Sequence, residues 1–359
     1  MSIIKVKGRG AENPGRRNLL HNGAMQVAQR GTQTNQITAY TACDRFQFGV
    51  SGAAVVTSSQ DTIVPSGQGF SDSLKLDVTT ADSSLAAGDF AFLRQKIEAQ
   101  NLQQLNYGTS DAKSLTLSFW VRSPKTGTHI AELRHDDATY FNSQAYTISS
   151  ADTWQKVTLT YDGYVTTAIN NDNGSGINVN WWLAAGSDFS GGTLSSNTWQ
   201  NTQANRAVGQ VNVMDSTSNN FYITGVQLEV GEQDTAFEHL SFDEELRLCS
   251  RYYRKIGRHM GGAREGYSAS AVTFYPGMRL TGSDAANIVS TISAGAVMYS
   301  RGSVNNSTGT LNGTVNVSTG ATDQAFTATF SHNGASTGST YNGTVAGFYV
   351  DGLEFDAEL

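Results

Sequence analysis

The stretch FYITGVQLEVGEQDTAFEHLSFDEELRLCSRYYRK, residues 221–255, changes period halfway along. In its first third Phe221, Ile223, Gly225, Gln227 and Glu229 alternate with Tyr222, Thr224, Val226, Leu228 and Val230, the period of a strand. From Ser241 the apolar spacing becomes helical and charge density rises. Ser241 with Glu244 three residues on makes a capping box. Asp243, Glu244 and Glu245 stand early and Arg251, Arg254 and Lys255 late, each matching the helix dipole. Phe242, Leu246, Cys249, Tyr253 and Ile256 recur at four- and three-residue steps. This predicts a helix over 241–256 with one apolar stripe and Gly257 as its C-cap. The stripe needs a partner: its own domain, or the same helix of neighbouring chains.

Outward from this stretch the chain reads as all-β. LTLSFWVRS (115–123) places Leu115, Leu117, Phe119 and Val121 on one face, and WQKVTLTYDG (154–163) does the same with Val157, Leu159 and Tyr161. INVNWWLAAGS (177–187) sets Ile177, Val179, Trp181 and Leu183 against Asn178, Asn180 and Trp182. Gly- and Asn-rich punctuation such as NNDNGSG (170–176) separates the runs. Two packed antiparallel sheets bury that many alternating faces. With 37 Gly, 4 Pro and 15% charged residues in 359, short strands and tight turns are expected throughout.

Residues 258–359 form a second β unit of lower charge. TLNGTVNV and TYNGTV each carry Asn-Gly as a hairpin signal, and the sequons at Asn306, Asn312 and Asn342 read as turns. GFYVDGLEFDAEL at the end echoes NFYITGVQLEVGE. The expected organisation is an arm at 1–17, a sandwich at 18–236, a connector helix at 237–257 and a smaller β-sandwich at 258–359.

A net charge of −7 gives no reason to expect nucleic acid as a partner. Lys5, Lys7, Arg9, Arg16 and Arg17 make a basic arm that could dock to an acidic partner, with SIIKVKG able to add to a sheet. The N-terminus lacks the apolar region of a signal peptide, and no run reaches the roughly 20 apolar residues of a membrane span. Cys43 and Cys249 read as buried free thiols.

Chemistry is sparse. There is no phosphate loop, nucleophile elbow or His pair at metal-ligand spacing. His129 and His135 flank Glu132, and Asp136 and Asp137 follow, but a polar loop after a strand accounts for them. Asp162 and Asp188 are loop acids that no spacing pairs. The chain is read as a non-enzyme. Sugar binding uses aromatic faces with amides and hydroxyls beside them. Trp181 falls on the core face and Trp154 at a sandwich end, while Trp120 stays open between core and surface. Trp182 and Trp199, with Asn178 and Asn180, are the glycan-facing candidates.

At NLLHNGAMQVAQRGT (18–32) the chain resembles the opening strand of jelly-roll carbohydrate-binding modules, with TWQKVTLTY and FYITGVQLE similar to later ones. Together with LAAGS and FEHLSFDEELRLCSRYYRK, the combination resembles a module of bacteriophage tail fibres and other virion proteins over about 18–256. The resemblance implies a jelly roll, a virion location after synthesis in the bacterial cytoplasm, docking to other virion proteins, and contact with host glycan or lipopolysaccharide. It also implies a homotrimer, in which Phe242, Leu246, Cys249, Tyr253 and Ile256 form the interface. Ala24 and Met25 after Asn22-Gly23, and Gly225 in the last strand, stand where such modules carry acids, which counts against a structural calcium. The alternative is a capsid-decorating or architectural virion protein without a receptor.

Overall fold

A computed structural model of the chain describes residues 16–256, the strands at 259–262, 272–274, 295–300, 311–317, 326–332, 346–351 and 353–356, and residue 358. It divides into two compact units that meet in sequence at Cys249 and Ser250.

The first unit is a two-sheet sandwich. Its strands are β1 (Gln33–Gln36), β2 (Ala39–Tyr40), β3 (Gln47–Ser51), β4 (Val55–Asp61), β5 (Ser73–Thr80), β6 (Phe90–Glu98), β7 (Leu115–Arg122), β8 (Gly127–His135), β9 (Tyr140–Ile148), β10 (Gln155–Tyr161), β11 (Ser175–Ala185) and β12 (Asn220–Val230). Sheet A has the order β1-β4-β5-β12-β7-β10 and sheet B the order β2-β3-β6-β11-β8-β9, six strands in each. All neighbours are antiparallel, and the chain crosses repeatedly between the sheets, as in a jelly roll. The alternating sets fill the space between: Leu115, Leu117, Phe119 and Val121 of β7 meet Val179, Trp181 and Leu183 of β11 in one core. Phe119 and Trp181 pack edge to face at 5.8 Å.

β12 is central and bulged. Its first half, Asn220–Ile223, pairs with β5. The register then slips between Thr224 and Gln227, where Gly225 has φ +61 and a Cβ would lie 2.5 Å from Phe70. Beyond the bulge residues 18–23 take the place that β5 leaves. Leu19 N–H donates to Leu228 O and Val226 N–H to Gly23 O, and Asn18 bonds the Val226 carbonyl and the Leu228 amide. A Cβ on Gly23 would sit 2.1 Å from Val226 O, so only glycine allows this approach. Residues 18–32 therefore serve beside the last strand without being a regular strand themselves, a correction to the expected opening strand; Asn22 and Met25 both have positive φ.

The helix is shorter than its spacing predicts. The capping box forms, with Ser241 Oγ 2.9 Å from Glu244 Oε2, but α2 runs only Phe242–Cys249 (α1 is the single turn Ser187–Ser190). Tyr253–Ile256 is a strand, paired with Leu353–Asp356 in the second unit. Tyr253 and Ile256 continue the helical spacing by coincidence; their aromatic and β-branched side chains suit the strand. The buried side of α2 is Glu245 with Cys249, so the five-residue stripe is not one helical surface. Glu245 accepts the Asn22 N–H, and its burial raises its carboxyl above the usual range.

In the second unit the described strands pair into one two-stranded and two three-stranded antiparallel sheets. Asn312 and Gly313 lie inside Leu311–Val317, opposite Ser331 and Phe330, and make no hairpin turn there. The unbroken ladder to Phe326–His332 outweighs the local turn signal. Asn306, Asn342 and Gly257 lie outside the described residues. The terminal echo is divided into Ala346–Asp351 and Leu353–Asp356, whereas its counterpart β12 is one bulged strand. Among the described residues no helix is long and apolar enough to cross a membrane.

Candidate functional site

β11 is the strand on which the candidate site was read, and it is buried on both faces. Asn178 and Asn180 are each 3% exposed and Trp182 1%. The alternation holds, with Ile177, Val179, Trp181 and Leu183 inward, but the outward face is covered in part by residues 186–212. Phe189 of α1 and Ala207 pack with Trp182 and Ile130 in a small second core. Trp182 meets Phe92 edge to face at 6.0 Å, and the Arg206 guanidinium lies 5.0 Å over its ring. Trp182 is thus a core tryptophan and no glycan platform, because a polar-looking strand face acquired a cover from distant sequence.

Trp199 belongs to a different cluster. It is half-buried at the margin of the main core, edge-on to Tyr107 at 5.9 Å, with Nε1–H donating to Asp162 O at 2.6 Å. The two proposed glycan-facing tryptophans line no common groove. Trp181 is core as expected; Trp120 and Trp154 are half-buried towards sheet A's outer side, where Trp154 meets Tyr222 at 6.2 Å.

The asparagines answer to acids. Asn180 donates to Glu132 Oε1 at 2.8 Å, and Asn178 donates to both oxygens of Asp136 at 2.9 Å. Glu132, fully buried, holds Arg206 through Nε at 2.9 Å and a second nitrogen at 2.6 Å. Burial works to lower the Arg206 pKa, but the Glu132 carboxylate outweighs it and holds it above its ordinary value. His129 and His135 share β8 with Glu132 but face inward, bonding the carbonyls of Lys125 and Thr167. Burial lowers both, His129 to about 4. The HDD run is therefore a strand end and turn, with the histidines and Glu132 on opposite sides of the sheet.

What remains open on sheet B lies next to β11. Register pairs Arg94 of β6 with Asn180 and Lys96 with Asn178, while Arg134 of β8 also faces Asn178. Arg94 Nε–H donates to Gln47 Oε1 at 2.6 Å, and its guanidinium lies 5.1 Å over the Phe92 ring. Arg134 Nε is 3.3 Å from Asp136, and its side chain is 36% exposed. It borders a depression of about 290 Å³ lined also by Thr139, Phe141, Asn201, Gln203 and Arg206. Sequence reading missed Arg94, Lys96, Arg134 and Arg206. A signal was present in FLRQKIE, where Arg94 and Lys96 stand two apart on the face opposite Leu93, Gln95 and Ile97. Among the described residues no group of three or more His, Cys, Asp or Glu side chains could hold a metal ion.

The remaining candidates fall elsewhere. Arg17 belongs to the sandwich and not to an arm: its backbone N–H donates to Glu238 at 3.0 Å and its guanidinium to Thr235 Oγ1 at 2.9 Å. Arg16 bonds His21 and the Leu20 carbonyl. Lys5, Lys7 and Arg9 lie outside the described residues. Of the proposed interface stripe, Phe242 is 52% exposed, Leu246 is half-buried, and Cys249 and Tyr253 are buried. Cys43 and Cys249 are buried and are not joined in a disulfide.

No family model matches the chain, and no curated protein matches it. Among solved structures it is similar to the enzymatically active domain of tailspike protein 4 of bacteriophage CBA120, with 18% identity and a TM-score of 0.30 over 59% of this chain. The matched part makes up 21% of that tailspike chain. It is also similar to a family 11 carbohydrate-binding module from Clostridium thermocellum in complex with a β-1,3-1,4-mixed-linked tetrasaccharide: 9% identity, TM-score 0.28, 54% of this chain and 91% of that one. TmCBM61 in complex with β-1,4-galactotriose is similar at 12% identity and a TM-score of 0.28, over 61% of this chain and 100% of that one. The sandwich assignment rests on the strand pairing and not on these likenesses.

Proposed function

We propose that this chain is a structural protein of a bacteriophage particle, a tail fibre or tail-tip component, whose sandwich contacts host surface glycans through the outer face of sheet B. The observation that carries the binding half is the open lane beside β11. Half-buried groups of β3, β6 and β8, the Gln47 amide, the Arg94 and Arg134 guanidiniums and the Lys96 ammonium, flank the buried amides of β11 there, beside the half-buried ring of Phe92. Glycan recognition needs that mixture of fixed donors and ring faces. The virion setting rests on the resemblance of 18–256 to modules of virion proteins, and docking through the basic N-terminal residues belongs with it. The role is binding and not catalysis, which is supported by His129 and His135 facing away from the open lane.

A homotrimer is part of the same proposal. Phe242 and Leu246 are left to carry it on α2, since Cys249 is buried in the first unit and Tyr253 sits on a strand. An architectural virion protein without a receptor is the second reading, favoured by the burial of Trp182 and the separate packing of Trp199. One experiment separates them: the full chain on an array of bacterial surface glycans, with its mass measured by light scattering. Glycan retention and a mass of three chains support the fibre reading. A trimer that retains no glycan moves the assignment to the architectural one.

A further inference from the structure

The cations beside β11 are crowded. Burial lowers the Arg94 guanidinium; Tyr40 and Asp136 pull against it, and the charges of Arg134 and Arg206 add smaller downward pushes. Burial also lowers the Lys96 ammonium, and the charge of Arg94 is the next cause. The nearest answering groups differ along the lane. Arg206 is neutralised by a fully buried, bidentate Glu132. Arg134 faces Asp136, whose two oxygens already accept from Asn178. Arg94 has a neutral amide, Gln47, on its Nε and an aromatic ring beneath it. These half-buried positive groups stand on one face of a chain whose net charge is −7.

Guanidinium groups differ from hydroxyls and amides in what they select. Their planar donors match a carboxylate or phosphate in two parallel bonds, and ring stacking holds the plane in place. Arg94 is held in this way by Phe92 and Gln47. Arg94 and Arg134 lie on strands that flank β11, so they are separated by about 10 Å across the sheet at ordinary strand spacing. A chain lying across the strands would meet them at separate sugar units. Between them Asn178 and Asn180 keep their amides on Asp136 and Glu132, which fixes the floor of the lane.

We infer that this lane takes a glycan bearing anionic groups, carboxylate or phosphate, with Arg94 and Arg134 each receiving a charge and Lys96 beside them. The inference rests on sheet B being the glycan-binding face, and it adds the chemical class. Relief of like-charge crowding favours an anion, and part of the affinity must therefore vary with salt.

The test uses the full chain on an array that carries neutral, uronate-containing and phosphorylated glycans, followed by titration calorimetry with the best-retained glycan at low and high salt. Charged glycans should bind at least about tenfold more tightly than neutral counterparts, with the difference shrinking in salt. The carboxylated and phosphorylated arms identify the group recognised. Arg94→Gln and Arg134→Gln should each weaken binding about tenfold without shifting the melting temperature. Equal binding of neutral glycans, unaffected by these variants, overturns the inference and leaves the glycan-binding proposal standing. Retention of no glycan of either kind overturns both. Duplex DNA bound as tightly as the charged glycan makes the lane a general polyanion surface and overturns the inference as well.

Discussion

The two outer faces of the sandwich solve the same problem differently. β11 and β12 are each eleven residues long, central in their sheets and buried on both faces. On sheet A the polar side chains of β12 are spent on the segments that enter and leave the sandwich, residues 17–18 and 235–238. Gln227 accepts from the Glu238 N–H at 2.8 Å, Glu229 holds Thr235 through its N–H and hydroxyl, and Glu238 in turn receives the amides of Arg17 and Asn18. On sheet B the cover comes from residues 186–212 and stops short. It buries Trp182 and clasps Glu132 through Arg206, but leaves Arg94 and Arg134 at the surface. A covered polar row is structure; the row left partly uncovered, with its donors held in place, is the one proposed as a site.

The sharpest way to break the comparison is at the clasp. Glu132→Ala strands Arg206 in a buried setting and frees Asn180, and should lower stability by about 3–5 kcal/mol, read as a fall in the urea midpoint. If the midpoint stays put, the cover on sheet B is not held by this pair. Acid should act on the interior that both faces share. His129 is neutral in the fold with a pKa of about 4, and 6.5 is its ordinary value. The unfolded chain therefore binds the extra proton first as pH falls. Its contribution is whole above about pH 6.5 and is lost between there and about pH 4, a change on the order of 3 kcal/mol. Denaturant titrations at pH 7 and pH 4.5 check it against a His129→Gln variant, which should lose that slope.

On sheet A, Gln227→Ala removes the acceptor for Glu238 N–H and should cost about 1–3 kcal/mol. Hydrogen exchange should then rise at residues 17–19 and 235–238 while glycan binding is unchanged; a loss of binding would mean the faces are not independent. The smallest effect is at α2. Ser241→Ala removes the cap on Glu244 N–H and should cost about 1 kcal/mol at most, read in the same denaturant series.

Sequence made the sandwich readable because each of its strands is a local statement. The alternation in β7, β10 and β11 names its core face without reference to any partner, and those faces are the ones found inside; in β12 the bulge at Gly225 moves the core side from Phe221 and Ile223 to Val226 and Leu228, so neither alternating set is inside along its whole length. The helix was half legible for the same reason. Ser241 and Glu244 are local, but the stop at Cys249 is set by a pairing with Leu353–Asp356 about a hundred residues away. The site failed on coverage. Asn178, Asn180 and Trp182 alternate as an exposed face should, and nothing within β11 reveals that Phe189, Ala207 and Arg206 will lie over Trp182. Arg94 and Lys96 carried a readable pattern, yet their meaning depends on standing next to Arg134, which only the sheet order supplies.

The central claim, that sheet B and not sheet A is the binding face, is tested most directly by matched charge removals on the two faces. Arg94→Gln and Arg134→Gln would be compared with Lys75→Gln and Arg122→Gln, the pair that flanks Tyr222 on sheet A, in one glycan titration. The account predicts about tenfold weaker binding for each sheet B variant and none for the sheet A pair. Weakening confined to the sheet A variants would contradict it.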